Sequence, residues 1–385
     1  MMFMDKERLR VGVIFGGRSG EHEVSLMSAR SVLDALDPQV YEVVQIGITR
    51  EGAWLVGENV LEVMTSAIPV DNFGGLTPAT LLPDPTRPGL YLIRSDGDQR
   101  LEFLTELDVV FPVLHGTFGE DGTLQGMLEM ADLAYVGAGV LGSAVGMDKG
   151  VFKDVMRANG IPVVDWQIVL RSEIENDPQS VLDQAEHLAD YPLFVKPANL
   201  GSSVGISLCR SRSDLLEGVM EAARYDRRVL IECGLSAREI EVSVLGNDHP
   251  QASIPGEVLP SREFYSYESK YIDGTSALLI PAPLPGELTL KIQELAVQAY
   301  RAIDCAGMAR VDFMLDKDAL HLEQGEGLYL NELNTIPGST EISMYPKLWD
   351  ASGLSYPALV DRLIQLALER KVDRDKTERN FRRNG

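Results

Sequence analysis

The sequence predicts a protein of several domains with α/β and α+β architecture, and three observations support this fold class. The 385 residues exceed one ordinary core, and usual domain sizes divide them into two or three packed units. Hydrophobic residues make up 45% and charged residues 24%, the balance of a folded globular chain. Strand and helix patterns alternate early in the chain, whereas later segments favour antiparallel strands beside helices.

The first domain is expected over residues 1–146, with a mostly parallel sheet. Residues 10–15 form an apolar run that ends in a glycine turn, and residues 24–36 follow with helical apolar spacing. Further strands are predicted at 43–48, 109–113 and 134–136, with a helix over 122–130. Residues 68–100 are rich in Pro, Gly and Asp, which indicates an inserted excursion of hairpin or loop character.

Two further domains are predicted over residues 147–240 and 241–385. The central one is expected to contain helices over 149–159, 178–188 and 214–224 and strands at 192–196, 204–209 and 229–232. A strand at 240–245 leads into the last domain, where we predict a helix over 285–303, strands at 309–315 and 328–331, and a closing helix over 356–368. Residues 258–280 form a long loop, and loops of this length are more often lids or binding loops than packing accidents.

Composition restricts the classes of partner. The net charge of −23 argues against general affinity for nucleic acid or an anionic membrane, so an anionic ligand needs a few placed lysines and arginines. Three cysteines without paired spacing indicate a reducing compartment and no thiolate metal site. The N-terminus lacks the apolar core of a secretory signal, and no window approaches the ~20 apolar residues of a membrane span. We therefore expect the cytoplasm.

Asp312, Glu332 and Asn334 are candidate ligands of a divalent metal ion. They occur as R-V-D and N-E-L-N on two predicted strands, where Glu332 and Asn334 share one face, as Arg310 and Asp312 do. Mg²⁺ prefers oxygen ligands and usually combines one or two carboxylates with phosphate oxygens and water. The alternative is that these are ordinary solvent-facing residues of an antiparallel sheet.

Two segments of the central domain suit a nucleotide. Residues 196–205 place Lys196 before a loop rich in Gly and Ser, whose backbone N–H groups and hydroxyls can surround phosphate oxygens. Residues 232–239 begin where a strand ends, so backbone groups can meet an adenine edge while Glu239 holds ribose hydroxyls. The alternative for residues 196–205 is a simple hairpin turn. The alternative for residues 232–239 is an ordinary strand end with acidic residues.

Two glycine turns of the first domain complete the candidates. Residues 16–25 are a poor dinucleotide fingerprint, because the G-x-G-x-x-G order is absent and Glu21 and Glu23 at the helix start repel phosphate. Acids at this place suit an ammonium group. His115 lies in the turn L-H-G-T-F-G-E-D-G-T, where a hydrogen-bonded structural histidine is the alternative to a ligand contact.

Six segments together closely resemble the D-alanine:D-alanine ligases of the ATP-grasp fold. They are GGRSGEHEVS, HGTFGEDGTLQG, MDK, VKPANLGSSVGIS, YESKY and RVDFM followed by NELNTIPG, and they keep family order over residues 10–368. The resemblance implies that ATP is clasped between the central and C-terminal domains and that two D-alanines are joined through a D-alanyl phosphate for cell-wall synthesis. It also implies Mg²⁺, with Mn²⁺ as an alternative ion, and a homodimer.

The resemblance also assigns roles to individual residues. For the nucleotide it implies Lys149, Lys196, Ser203, Glu232, Cys233, Leu235, Glu239 and, from the mobile loop 258–280, Lys270. For the metal it implies Asp312, Glu332 and Asn334, in agreement with the reading from chemistry. For catalysis and the two alanines it implies Glu21, His115, Ser202, Tyr271, Arg310, Gly338 and Ser343. Some relatives have lysine in place of Cys233.

Three rival functions remain to be compared. Relatives that make D-alanyl-D-lactate share the fold and differ where Tyr271 stands; a tyrosine fits the dipeptide-forming class. A nicotinamide oxidoreductase would use the N-terminal glycine turn and would have no use for Asp312 or Glu332. A catalytically silent nucleotide-binding regulator would not need the full set of phosphate and metal candidates.

Overall fold

The computed structural model of the protein describes residues 8–66, 75–95, 97–202, 204–259, 277–318, 326–340 and 342–378. The strands within these ranges form three sheets of eight, four and six strands. Ser203, Lys270, Tyr271 and most of the loop predicted over 258–280 lie outside the described residues. Among the helices in the described ranges, none is both long and apolar enough to cross a lipid bilayer.

The eight-stranded sheet is parallel in one half only. Its order is β6-β5-β4-β3-β2-β1-β7-β8, and the pairs β2–β1, β1–β7 and β7–β8 are parallel. The strands are β1 (Leu9–Gly16), β2 (Tyr41–Ile48), β3 (Trp54–Val56), β4 (Thr77–Leu81), β5 (Leu90–Arg94), β6 (Arg100–Thr105), β7 (Val109–Val113) and β8 (Ala134–Tyr135). The excursion predicted over 68–100 contributes antiparallel strands to the sheet, because short connections allow only antiparallel pairing.

Helices α1 (His22–Ala35), α2 (Val60–Thr65) and α3 (Thr123–Met130) accompany this sheet. Two more, α4 (Val140–Met147) and α5 (Lys149–Ala158), connect it to the second sheet. Asp148 caps α5 by accepting hydrogen bonds from the N–H groups of Gly150 and Val151. This cap fixes the helix start that carries Lys149.

The four-stranded sheet is antiparallel, in the order β11-β10-β12-β9. It contains β9 (Trp166–Leu170), β10 (Leu193–Pro197), β11 (Ser207–Cys209) and β12 (Arg228–Cys233), with helices α6 (Arg171–Asn176), α7 (Pro178–Leu188) and α8 (Arg212–Tyr225). Burial alternates along β10: Leu193 and Val195 face the helices, so Phe194 and Lys196 face the opposite side. The period-two pattern therefore directs Lys196 away from the helical layer.

The six-stranded sheet faces the second one. It contains β13 (Ala237–Gly246), β14 (Gln251–Ala252), β15 (Gly256–Leu259), β16 (Ala277–Leu279), β17 (Gly307–Asp316) and β18 (Leu328–Asn334), with helices α9 (Gly286–Ala302), α10 (Met344–Ala351) and α11 (Tyr356–Arg374). Val311, Phe313 and Leu315 of β17 are buried in the core, which turns Arg310 and Asp312 to the other face. The domain boundary expected at 240/241 falls inside β13, so the sheets divide the chain between residues 233 and 237.

Helix α11 joins the end of the chain to its beginning. Val360, Leu363 and Ile364 of this helix share one buried cluster with Val11 of β1 and Val109 of β7. Arg370 reinforces the contact: it donates hydrogen bonds to the carbonyls of Tyr135, at 3.0 Å, and Gly137, and lies 4.4 Å from the centre of the Tyr135 ring. The first and third sheets are therefore held together by α11.

Replacing Arg370 by alanine should lower the free energy of unfolding by about 3 kcal/mol, because two part-buried carbonyls and a cation–π contact lose their partner. Arg362→Ala on the same helix is the control. Arg362 forms an exposed ion pair with Glu369 at 2.7 Å, and its loss should cost less than about 1 kcal/mol. Urea unfolding of both variants checks this, and equal losses would contradict the role given to Arg370.

Candidate active site

A cavity of about 870 Å³ lies between the second and third sheets. The second sheet contributes Phe194, Lys196, Leu208, Glu232 and Cys233, and the third sheet contributes Glu239, Glu241, Asp312, Met314, Leu330 and Glu332. Lys149, at the start of α5, and residues 200–202 border it as well. Most nucleotide and metal candidates in the described ranges thus face one space.

Glu232 lies in a buried charge cluster with two lysines. Its carboxylate is 3.1 Å from Nζ of Lys153 and also contacts Nζ of Lys196, and the side chains of Lys153 and Glu232 are 1% and 4% exposed. Lys196 lies on β10 and Glu232 on the neighbouring β12, whereas Lys153 reaches them from α5. The sequence interpretation missed Lys153, although its spacing of one helical turn from Lys149 places both on one helix face.

These contacts decide the charges in the cluster. Burial would raise the pKa of Glu232, but Lys153 and Lys196 together lower it to about 2. Burial alone would lower the pKa of Lys196, yet the adjacent Glu232 holds it above its usual value. Burial lowers the pKa of Lys149 by more than the charge of Glu332 raises it, and the Lys149 ammonium donates to the carbonyl of Leu200 at 2.6 Å. At neutral pH Glu232 and Lys196 are therefore both ionised.

The cavity lining also includes apolar side chains. Phe194, Ile206, Leu208, Met314 and Leu330 line it, with Cys233, Leu235 and Glu239 among its neighbours. The N–H groups of Cys233 and Gly234 already donate to the carbonyls of Asp165 and Pro192, each at 3.0 Å. These two N–H groups are therefore not available to a bound ring. A planar ring in this part of the cavity would hydrogen-bond to other backbone groups near the end of the strand, such as those of Leu235.

The metal candidates lie side by side on the third sheet. Asp312 on β17 is opposite Glu332 on β18. Asp312 accepts two hydrogen bonds from Arg310, at 2.7 and 2.8 Å, and one from the amide of Asn334 at 3.1 Å. In the described part of the chain, no three His, Cys, Asp or Glu side chains converge to hold an ion by themselves. Two carboxylates and an amide would need additional oxygen donors, as Mg²⁺ commonly takes from phosphate and water.

A second cavity, of about 70 Å³, adjoins the first and shares Lys149, Ser202 and Glu332 with it. Glu21, His115, Arg310 and Gly338 also line this small cavity. The Ser202 hydroxyl donates to Glu21, which stands immediately before α1, where the helix dipole stabilises a carboxylate. Ser202 has a φ of 52°, and this left-handed turn belongs to the glycine-rich loop.

His115 is buried, and both of its ring nitrogens have partners. Nδ1 is 3.0 Å from the carbonyl oxygen of Ile336, which can only accept, so Nδ1 carries a proton. Nε2 is 3.0 Å from the Ser28 hydroxyl. Burial lowers the pKa of His115, which agrees with a neutral ring that accepts from Ser28. These contacts favour the structural alternative for the two nitrogens, although the ring still borders the small cavity.

Glu120 is a further buried carboxyl group at the small cavity, and the sequence interpretation did not single it out. It accepts a hydrogen bond from the Gly116 N–H at 2.7 Å. Burial, followed by the nearby charge of Glu21, raises the pKa of Glu120 to about 8. The signal for this residue was its place in the H-G-T-F-G-E-D-G-T turn, beside His115.

Gly338 lines the small cavity, and Ser343 lies behind it, outside the lining. A Cβ atom built on Gly338 would lie 2.9 Å from the Ser343 hydroxyl oxygen. Ser343 stands just before α10, and its hydroxyl accepts from the Thr340 N–H at 3.1 Å. Ser343 therefore supports the Gly338 turn from behind.

A nucleotide-sized cavity between two antiparallel sheets, with lysines and carboxylates at one end and a small polar cavity beyond, is the arrangement of an ATP-grasp ligase. Two family models match the chain: D-ala D-ala ligase N-terminus over residues 10–138 and D-ala D-ala ligase C-terminus over residues 155–365. The chain belongs to the D-alanine–D-alanine ligase family.

Individual relatives agree with this assignment. The D-alanine--D-alanine ligases of Natranaerobius thermophilus and Heliobacterium modesticaldum are each 48% identical to the chain, covering 97% and 96% of it and 99% and 98% of their own lengths. The D-alanine-D-alanine ligase structure from Coxiella burnetii is 38% identical with a TM-score of 0.78, covering 96% of this chain and 97% of its own. The VanG D-Ala:D-Ser ligase of Enterococcus faecalis is 33% identical with a TM-score of 0.81, covering 94% of this chain and 100% of its own.

Replacing Lys153 by methionine should lower the free energy of unfolding at neutral pH by about 3 kcal/mol, because Glu232 loses one of its two buried partners. The pKa of Glu232 is depressed from 4.5 to about 2, so the stabilisation is present above 4.5 and is lost as pH falls toward 2. The difference between wild type and variant should therefore shrink with falling pH.

Denaturant unfolding between neutral pH and about pH 3 measures this difference. Arg157→Met on the same helix is the control, since Arg157 is an exposed partner of Asp165 at 2.9 Å. A Lys153→Met deficit that stays constant over the pH range would exclude the charge pair as its cause.

Proposed function

We propose that the protein is a D-alanine–D-alanine ligase that uses ATP to form D-alanyl-D-alanine through a D-alanyl phosphate, for peptidoglycan precursor synthesis. The observation that carries the proposal is the shared boundary of the two cavities at Lys149, Ser202 and Glu332. This boundary lets a small amino acid lie beside the terminal phosphate of a nucleotide. The two curated relatives at 48% identity are named D-alanine--D-alanine ligases, which supports this reaction, and none of the relatives named above is a D-lactate ligase.

The cavity fits ATP in shape and charge. Its apolar part suits an adenine ring, Glu239 suits the ribose hydroxyls, and Lys149 and Lys196 supply point charges for phosphate oxygens. Because the chain carries a net charge of −23, these lysines provide the local attraction that the whole molecule does not. Ser203 and Lys270 are expected to add contacts, and both lie outside the described residues.

Asp312, Glu332 and Asn334 would hold Mg²⁺, or Mn²⁺, together with phosphate oxygens. The donor set fits, because all three groups offer oxygen on adjacent strands and thiolate or imidazole ligands are not among them. A bound divalent ion would offset the charge that spreads over the transferring phosphoryl group. In the structure Asp312 is turned to Arg310, so the cation and Arg310 would compete for its oxygens.

The first step activates an alanine. Glu21, held by Ser202, receives the ammonium group of the first D-alanine in the small cavity. The carboxylate of this alanine attacks the γ-phosphorus, its oxygen forms the new P–O bond, and ADP leaves with the electrons of the broken bond. Lys149 and Lys196 stabilise the negative charge on the phosphate oxygens. Tyr271 is expected to join Glu21 and Ser202, but it lies outside the described residues.

The second step makes the peptide bond. The free amine of the second D-alanine attacks the acyl carbon, a tetrahedral oxyanion forms, and inorganic phosphate departs as the amine loses a proton. Arg310 is the group for the oxyanion: it is buried beside the small cavity, and Asp312 and Glu241 outweigh the effect of burial and keep its pKa well above the usual value. Gly338, supported by Ser343, would orient the second alanine. The resemblance to the ligase family implies a homodimer, and the composition of the chain indicates the cytoplasm.

Phosphate release with ATP and D-alanine tests the proposed reaction. We expect turnover with D-alanine, with D-alanyl-D-alanine as product, and little with L-alanine. When D-lactate or D-serine is added to D-alanine, the amount of D-alanyl-D-lactate or D-alanyl-D-serine should not exceed the amount of D-alanyl-D-alanine. If the protein does not consume ATP with D-alanine, the proposed ligase activity is refuted. If it prefers D-lactate to D-alanine as the second substrate, it is a depsipeptide-forming ligase.

Arg310→Ala should reduce kcat by about a hundredfold or more, the usual loss of an oxyanion-stabilising group. Binding of a non-hydrolysable ATP analogue without divalent metal should change little, because Arg310 lines the small cavity and not the large one. Calorimetric titration of the analogue serves as the control for correct folding. A variant that keeps wild-type kcat would remove Arg310 from the mechanism.

A further inference from the structure

Three carboxylates form one row across the third sheet. Glu241 on β13 is directly opposite Asp312 on β17, and Asp312 is directly opposite Glu332 on β18. Directly opposed residues of antiparallel strands project from the same face, so all three side chains point to the large cavity that they line. Glu241 is 7% exposed. Neither the sequence motifs nor the proposed steps give this residue a function of its own.

Arg310 is shared between two members of this row. Its Nε atom is 2.8 Å from Oδ1 of Asp312 and 3.0 Å from Oε2 of Glu241. Its Nη2 atom is 2.7 Å from Oδ2 of Asp312. One buried guanidinium therefore satisfies two carboxylates, and either carboxylate can remain its partner if the other turns away.

This sharing matters when a divalent cation binds to Asp312. The cation attracts the carboxylate oxygens that Arg310 holds, and it repels the guanidinium, since both are positive. If Asp312 were the sole anion beside it, Arg310 would be left as an uncompensated buried charge, which costs several kcal/mol. The binding of the cation would then be opposed by the loss of the Arg310 pair.

We propose that Glu241 is a positioning residue that takes over Arg310, so that Asp312 can turn to a divalent cation while the guanidinium stays beside the small cavity. The proposal rests on the proposed function for the identity of the cation site. It adds the residue that makes metal binding and a fixed Arg310 compatible. Removing the charge of Glu241 should leave Arg310 bound more strongly to Asp312, and the cation should bind less well.

The test measures binding without alanine and so does not depend on turnover. Mn²⁺ affinity is determined by electron paramagnetic resonance in the presence of saturating ADP, and ADP affinity without metal by calorimetry. Glu241→Gln should weaken Mn²⁺ binding by about tenfold. ADP binding without metal should be unchanged or stronger, because a negative charge near the phosphates is gone. Glu241→Asp keeps the charge on a shorter side chain, so its Mn²⁺ affinity should lie between those of wild type and Glu241→Gln.

Glu257→Gln is the matched control. Glu257 lies on β15 of the same sheet, is buried, and forms a two-pronged pair with Arg238 at 2.7 and 2.8 Å, but it does not line the cavity. Its loss removes a comparable buried ion pair and should not change Mn²⁺ affinity. An effect of equal size in both Gln variants would mean that general destabilisation, and not the sharing of Arg310, weakens the metal site.

The outcomes separate this inference from the proposed function. If wild type binds ADP and Mn²⁺, and Glu241→Gln binds Mn²⁺ equally well, the role of Glu241 is refuted. The proposed ligase function is not affected by that result. If wild type binds no ADP, the proposed function fails and the inference with it. If Glu241→Gln does not fold, Glu241→Asp decides: its shorter side chain should give an intermediate Mn²⁺ affinity, and wild-type affinity would refute the role.

Discussion

The buried charge cluster of Glu232 with Lys153 and Lys196 is the interaction on which the large cavity depends. An isolated lysine at this depth would lose its charge, because burial disfavours the ammonium form. Glu232 prevents this for Lys196, which is thus cationic in a chain whose net charge is −23. The same carboxylate anchors α5, through Lys153, to the second sheet. One anion therefore fixes both the charge of a strand residue and the position of a helix.

The rest of the site follows from strand alternation on two facing sheets. On β10 the buried residues face the helices, which leaves Phe194 and Lys196 for the cavity. On β17 the buried Val311 and Phe313 leave Arg310 and Asp312 for the same space. Because neighbouring residues of a strand point to opposite faces, burying the apolar residues in the core places the polar residues between them on the cavity side. Along each of these strands, one set of alternate residues packs in the core and stabilises the fold, and the other set lines the cavity.

Sequence reasoning was most successful where the signal is local. The helix over 178–188 and the strand at 109–113 were predicted with the bounds that the structure has, and the oxygen-rich R-V-D and N-E-L-N segments lie on neighbouring strands as expected. Helices α4 and α10 were missed: α4 contains two glycines, and Pro346 interrupts the pattern of α10. The parallel character of the first sheet was overestimated, since pairing direction depends on connections and not on strand composition. Lys153 and Glu241 were missed because their partners, Glu232 and Arg310, are distant in sequence.

The packing of α11 on the first sheet has a consequence for how the polypeptide can be divided. Residues from the two ends of the chain complete one shared core, in which Ile364 is fully buried with Val11 and Val109. The four-stranded sheet has a core of its own, made of residues 169–231. The central unit is therefore inserted into a larger unit whose core is formed by residues from both ends of the chain. A cut at residue 146 would therefore not release a self-sufficient N-terminal fragment, because its apolar sheet face would lose the helix that covers it.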